Sequence, residues 1–153
     1  MSTKVKIGLM VLAGLIVLGL MIFLLLLPSR QAKAEGRAVE FVKEFGTFVR
    51  SGAADYRMRV EPYLADSYKD EFFGKFGVVE LSGEARESYQ RVGSAEIVET
   101  VSYSEEEAVF IVKYTGTRSE PPRSPEVTEF EINIQVFLVL EDGDWKVRRL
   151  EFA

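Results

Sequence analysis

"TEFEINIQVFLVLEDGDWKVRRLEF", residues 128–152, carries the most decisive pattern in the chain. Phe130, Ile132, Ile134, Val136, Leu138 and Leu140 recur at every second position. That period places all six on one face of a long β-strand. Asp142–Gly143 comes next, a dipeptide suited to the positive φ angles of a tight hairpin turn. A returning strand is therefore expected over "DWKVRRLEF" (144–152). Trp145 and Val147 share one parity, whereas Leu150 and Phe152 share the other. A bulge near Arg148–Arg149 would reconcile them.

Working upstream, "AVFIVKYTGTR" (108–118) reads as another strand, and "SEEE" (104–107) as the turn before it. From Ala95, Ile97, Val101 and Tyr103 alternate with polar neighbours, which predicts one more strand. "SEPPRSPE" (119–126) is expected as a loop, because Pro121, Pro122 and Pro125 have no N–H to give to a ladder.

Before residue 95 the period is helical. In "RAVEFVKEFGTFVRSG" (37–52), Ala38, Phe41, Val42, Phe45, Phe48 and Val49 form one apolar stripe, with Gly52 as the stop. "ADYRMRVEPYLADSYKDEFFGKFG" (54–77) reads as a broken helical region that Pro62 interrupts and Gly77 ends. Asp55 is a candidate cap, and Ser67 with Asp70 a candidate capping box. A short helix over "GEARESYQRVG" (83–93), capped by Ser82, would complete the set. Helices followed by a meander of about four strands predict an α+β fold, a curved antiparallel sheet with one face packed on the helices.

The other end of the chain is of a different kind. Ile7 to Leu27 is a run of 21 residues without a charge, about 31 Å as a helix and enough to cross a bilayer's hydrocarbon core. No polar face interrupts it, so it predicts a transmembrane helix and not a surface-lying one. It is longer than the apolar core of a cleavable signal peptide, although Ala32 and Ala34 would suit signal peptidase; an uncleaved signal-anchor is expected. Residues 1–6 then form a cytoplasmic tail, 28–36 a linker, and 37–153 a single extracytoplasmic domain. Lys4 and Lys6 favour that orientation by the positive-inside rule. The protein would be a single-pass protein of the cell membrane, with the lipid bilayer as the partner of residues 7–27.

Composition removes several functions. Beyond residue 30 there are 16 basic residues against 24 acidic ones, a net charge of −8. Such a domain is a poor nucleic-acid binder. The chain holds no cysteine and no histidine, which excludes the usual zinc sites and every Cys–His or Ser-His-Asp catalytic set. The three adjacent acids Glu105, Glu106 and Glu107 lack the spaced ligands and glycine turn of a calcium loop, and read as a solvated turn. No pattern points to a cofactor.

The order of these parts resembles a family. An N-terminal anchor, a helix of the "AVEFVKEFGTFV" kind, "YRMRVEPYLADSY", and strands closing in "VFLVLEDGDWKVRRLEF" look like the nuclear-transport-factor-like, cystatin-like cone over residues 35–153. Among its members, the chain is similar to inner-membrane scaffold subunits of type IV secretion and conjugation and to Mce-associated membrane proteins. The resemblance implies a bacterial envelope setting, with the hairpin and Trp145 helping to fill the cone. Fold alone carries no activity across.

Three functions follow as expectations. The first is a non-enzymatic, membrane-tethered scaffold that self-associates or binds envelope proteins, since tethering lets weak contacts suffice. Lys146, Arg148 and Arg149 on the last strand are candidates for a partner-docking edge, or for pairing with the acids of the 104–107 turn. The second is a binding domain for an apolar small molecule or lipid, in a hollow lined by Phe41, Phe45, Phe72, Phe76 and Trp145. The third and least favoured is an acid–base enzyme using a tyrosine with Asp55 or Asp66. It would need a pair brought face to face with shifted pKa values. No catalytic residue is assigned.

Overall fold

The computed structural model describes residues 15–19, 21 and 29–152. The chain divides into two units, 1–30 and 31–153. In the first, residues 15–19 and 21 are helical and exposed. The expected cytoplasmic tail and most of the expected span over 7–27 lie outside the described residues. Among the described residues, no helix is long and apolar enough to cross a membrane.

The second unit is α+β. Helix α1 runs Arg30–Gly46 and is followed by the short strand β1, Phe48–Val49. Helix α2, Ala53–Val60, leads through two 3₁₀ turns, Glu61–Tyr63 and Asp66–Tyr68, into α3, Lys69–Phe76. A 3₁₀ turn at Gly83–Glu87 precedes β2 (Tyr89–Tyr103), β3 (Glu107–Glu120), β4 (Ser124–Glu141) and β5 (Asp144–Phe152). The strands form one antiparallel sheet in the order β1-β2-β3-β4-β5. Five strands stand where about four were expected.

The local differences have physical causes. The stretch expected as a linker is helical from Arg30, and Ala34 extends the buried stripe of Ala38, Phe41, Val42 and Phe45 by one more turn. The same helix ends at Gly46, well before Gly52, because its last turn is taken over by the sheet. The Gln90 side-chain amide donates to the Gly46 carbonyl at 2.9 Å, and the Val92 N–H donates to Thr47 Oγ1 at 3.1 Å. Phe48 and Val49 then pair with Gln90 and Tyr89. That pairing, together with Tyr89↔Ser119 on the other side, draws 89–93 into β2 and leaves only a 3₁₀ turn of the helix expected over 83–93. Asp55 lies in the first turn of α2, whose cap is Gly52, and no side-chain capping bond forms at either α2 or α3.

The sheet curls through irregularities on its strands. β2 carries three extra residues, Gly93, Val98 and Val101, at successive breaks in its register with β3. Each bulge adds twist and resets parity, so Ile97 and Tyr103 pack inward while Val101 is exposed, contrary to strict alternation. On β5 the expected bulge is present: Phe137 pairs with Arg149 and Leu138 with Val147, leaving Arg148 over. It lets Trp145, Val147 and Leu150 all point into the core. The 142–143 turn has φ of 52° at Asp142 and 87° at Gly143, the two positive values a tight hairpin needs. The proline-rich stretch shrinks to a turn at 121–123. Pro125 enters β4 at a register break, where no ladder N–H is required.

Candidate functional site

Four of the five residues expected to line a hollow come together. Phe41 and Phe45 stack with ring centres 5.7 Å apart. Phe72 meets them edge-on at 6.1 and 5.8 Å, and Phe76 lies 5.6 Å from Phe45 and 5.3 Å from Phe72. The i, i+4 spacing on α1 and on α3 aligns each pair along its helix. Phe41 and Phe72 are fully buried. Phe41 and Phe72 fill the interior, whereas Phe76 is half-buried.

Trp145 is buried on β5, but its ring neighbour is Tyr103 of β2 at 6.2 Å. It shares one buried core cluster with Phe41 and Phe45. The sheet's curl brings the end of β2 over the start of β5, while the stripe is closed by α3 and by Phe152, which lies 6.4 Å from Phe45 and 6.1 Å from Phe76.

The cations of β5 are engaged within the fold. Lys146 Nζ donates to the Pro62 carbonyl at 2.7 Å. Arg148 pairs with Glu107, as one reading of the acidic turn expected. Arg149 pairs with Glu151 and lies over the Phe137 ring, 4.6 Å from its centre. The outer edge of β5 is partly covered by residues 64–65, whose Ala65 N–H donates to the Val147 carbonyl at 2.9 Å.

Of the acid–base candidates, Asp55 and Tyr89 line one open cleft, and the others are buried or placed elsewhere. Tyr56 is buried, and its hydroxyl donates to the Phe45 carbonyl at 3.2 Å. Burial raises its pKa, against a smaller downward pull from Arg59. Burial likewise pushes the Tyr114 hydroxyl up to about 12. Both stay protonated far above neutrality and neither can serve as a base there. Asp55 is held by Arg59 at 3.1 Å. Asp66 is paired with Lys69 at 2.6 Å, and that hydrogen bond draws its carboxyl below the ordinary carboxylate value. Among the described residues, no group of three or more Asp, Glu, His or Cys is placed to hold a metal ion.

Two open clefts flank β1. One, of about 400 Å³, is lined by polar groups including Asp55, Arg59, Tyr89, Gln90 and Arg91. The other, of about 440 Å³, is more apolar and is lined by Phe48, Arg50, Lys75, Phe76, Val78, Val79 and Leu81. Of the residues that the sequence reading assigned to a hollow, Phe76 lines this second cleft. A further signal was the pair of valines in "GVVEL" (77–81), apolar residues beyond a helix stop and outside any periodic run.

No family model matches the chain, and no curated protein matches it. Solved structures do. An NTF2-like protein involved in plasmid conjugation superimposes with a TM-score of 0.64 at 16% identity, over 82% of this chain and 49% of that one. The present chain thus spans about half of that protein's length. An IcmL-like type IV secretion system protein from Legionella pneumophila gives 0.57 at 14% identity, over 82% of this chain and 93% of that one. CagV, a VirB8 homologue of the type IV secretion system from Helicobacter pylori, gives 0.51 at 12%, over 80% and 97%. At these identities the likeness speaks for the fold. The domain has the NTF2-like fold, similar to that of conjugation and type IV secretion proteins.

Proposed function

We propose that this protein is a non-enzymatic, membrane-tethered scaffold of the cell envelope that serves a secretion or conjugation apparatus. The observation that carries this reading is the likeness in fold to three proteins named for conjugation or type IV secretion. In this reading residues 7–27 are the tether, with residues 1–6 cytoplasmic and the folded domain outside the cytoplasmic membrane. The interior supports a scaffold over a catalyst. Its space is taken by packed aromatic rings, Tyr114 is buried and protonated, and Asp55 and Asp66 are held in surface ion pairs. The same packing leaves less support for an apolar ligand in the Phe41–Phe72 interior.

Crosslinking of the full chain in its native membranes tests the proposal, with protease added to intact spheroplasts to locate the domain. The expected result is covalent capture of envelope proteins or of a second copy, with the domain cut from outside. Monomeric protein without crosslinked partners, in cells whose secretion and conjugation survive its deletion, would overturn the reading. A small molecule co-purifying in native mass spectrometry would favour the ligand-binding alternative.

A further inference from the structure

After α3, the segment from Gly77 to Ser82 leaves helical geometry and runs extended at both ends. Gly77 has φ −59° and ψ 136°, and Ser82 has φ −109° and ψ 162°. Between them, residues 78–81 belong to no helix or strand. None of the backbone N–H and C=O groups of 78–81 bonds to another backbone group among the described residues. An extended segment with unpaired backbone groups is a template for an added strand. Its side chains suit that role: Val78 packs against the core, while Val79 is 68% exposed.

The cleft beside this segment combines positive charge with apolar surface. Arg50 and Lys75 line it together with the apolar groups Phe48, Phe76, Val78, Val79 and Leu81. Half of the domain's other cations are paired with carboxylates among the described residues, as Arg57, Arg59, Lys69, Lys113, Arg148 and Arg149 are. Arg50 and Lys75 enter no ion pair among the described residues; the Lys75 ammonium lies 5.1 Å above the Phe76 ring instead. In a domain of net charge −8, two unpaired cations beside an apolar ledge form a local attraction for carboxylates.

We propose that residues 78–81 and the cleft beside them dock an extended peptide segment of a partner protein in which apolar and acidic residues alternate. The segment pairs with the free backbone groups of 78–81. Its apolar parity lies on Phe48, Phe76 and Val79, and its carboxylates reach Arg50 and Lys75. This deepens the scaffold reading by naming a surface and a partner chemistry, and it rests on that reading for its place in the cell.

The test is fluorescence anisotropy with the purified full chain in a non-ionic detergent. The probes are a fluorescein-labelled peptide of alternating Glu and Val and its counterpart of alternating Lys and Val. The acidic peptide is expected to bind and the basic one not, with affinity falling as salt is added. Reversing both charges, Arg50→Glu with Lys75→Glu, should weaken the acidic peptide by about tenfold or more and let the basic one bind. Val79→Asp should weaken the acidic peptide while far-UV circular dichroism stays unchanged. Equal binding of both peptides, or an affinity indifferent to salt and to charge reversal, would overturn the proposal. So would failure of both peptides alongside saturable, Arg50-dependent binding of soluble dihexanoyl phosphatidylglycerol, which would assign the cleft to a lipid headgroup. Loss of peptide binding with envelope crosslinks retained would remove this surface and leave the scaffold reading standing.

Discussion

The ammonium of Lys146 donates to the carbonyl oxygen of Pro62 at 2.7 Å, and Arg37 Nη2 donates to the same oxygen at 2.9 Å. Arg37 also lies over the Tyr63 ring, 4.0 Å from its centre, and its Nε reaches the Trp145 carbonyl at 3.2 Å. One carbonyl at the 61–63 turn thus ties α1 to β5. A lysine that reads in sequence as a free cation on an edge is a structural tie.

That arrangement separates two neighbouring positions. Trp145→Ala removes a ring that is only 5% exposed and should cost roughly 3–5 kcal/mol of stability. Lys146→Ala removes one exposed hydrogen bond and should cost about 1 kcal/mol or less. Urea melts followed by far-UV circular dichroism compare them. Equal, small shifts would mean that the Trp145 ring contributes nothing to the core.

Phe72 sits at the centre of the ring network, with Phe41, Phe45, Tyr68, Phe73 and Phe76 all within 6.1 Å of its centroid. Phe72→Ala should cost about 3–5 kcal/mol, because five rings cannot close over the space it leaves. Phe152 touches the same network but is 56% exposed. Phe152→Ala should cost about 1 kcal/mol, and the difference between the two melts is the measurement that counts.

Stability should fall in alkali. Tyr114 titrates ordinarily near 10.0 and is raised to about 12 by burial in the fold. The folded state therefore holds its proton more tightly than the unfolded one. Its contribution is fully present below about pH 10 and is lost as pH rises towards 12, about 3 kcal/mol for this group. Tyr56 is shifted in the same direction. Denaturant midpoints measured from pH 8 to 12 should drop above pH 10, and Tyr114→Phe should flatten that drop. A flat profile in the unaltered protein would refute the burial of both hydroxyls.

Two glycines should respond to alanine in opposite directions. At Gly36, inside α1, an added Cβ meets nothing within 4 Å. Gly36→Ala should stabilise the protein by about 0.5–1 kcal/mol, which a flexible linker over 28–36 would not show. At Gly116 on β3 the same Cβ would stand 2.0 Å from the Arg91 carbonyl oxygen and 2.9 Å from Phe130 Cζ. Gly116→Ala should cost about 1–3 kcal/mol, since backbone of the adjacent strand has to move. Thermal melts of both variants give the signs directly.

The sequence by itself determined the α+β class, the β4–β5 hairpin with its turn at 142–143 and bulge at Arg148, and the apolar stripe of α1. Each rests on periodicity or on φ preferences, which act over a few neighbouring residues and need no partner from afar. Tertiary structure decided what depends on a distant neighbour. Residues 89–93 are strand because β1 and β3 flank them, and α1 stops at Gly46 because Gln90 and Val92 bond to its end. Trp145 found Tyr103 because three bulges on β2 curl the sheet. The cationic cleft was invisible for the same reason: Arg50 and Lys75 stand 25 positions apart in the chain, and only the packing of α3 beside β1 makes them walls of one cleft.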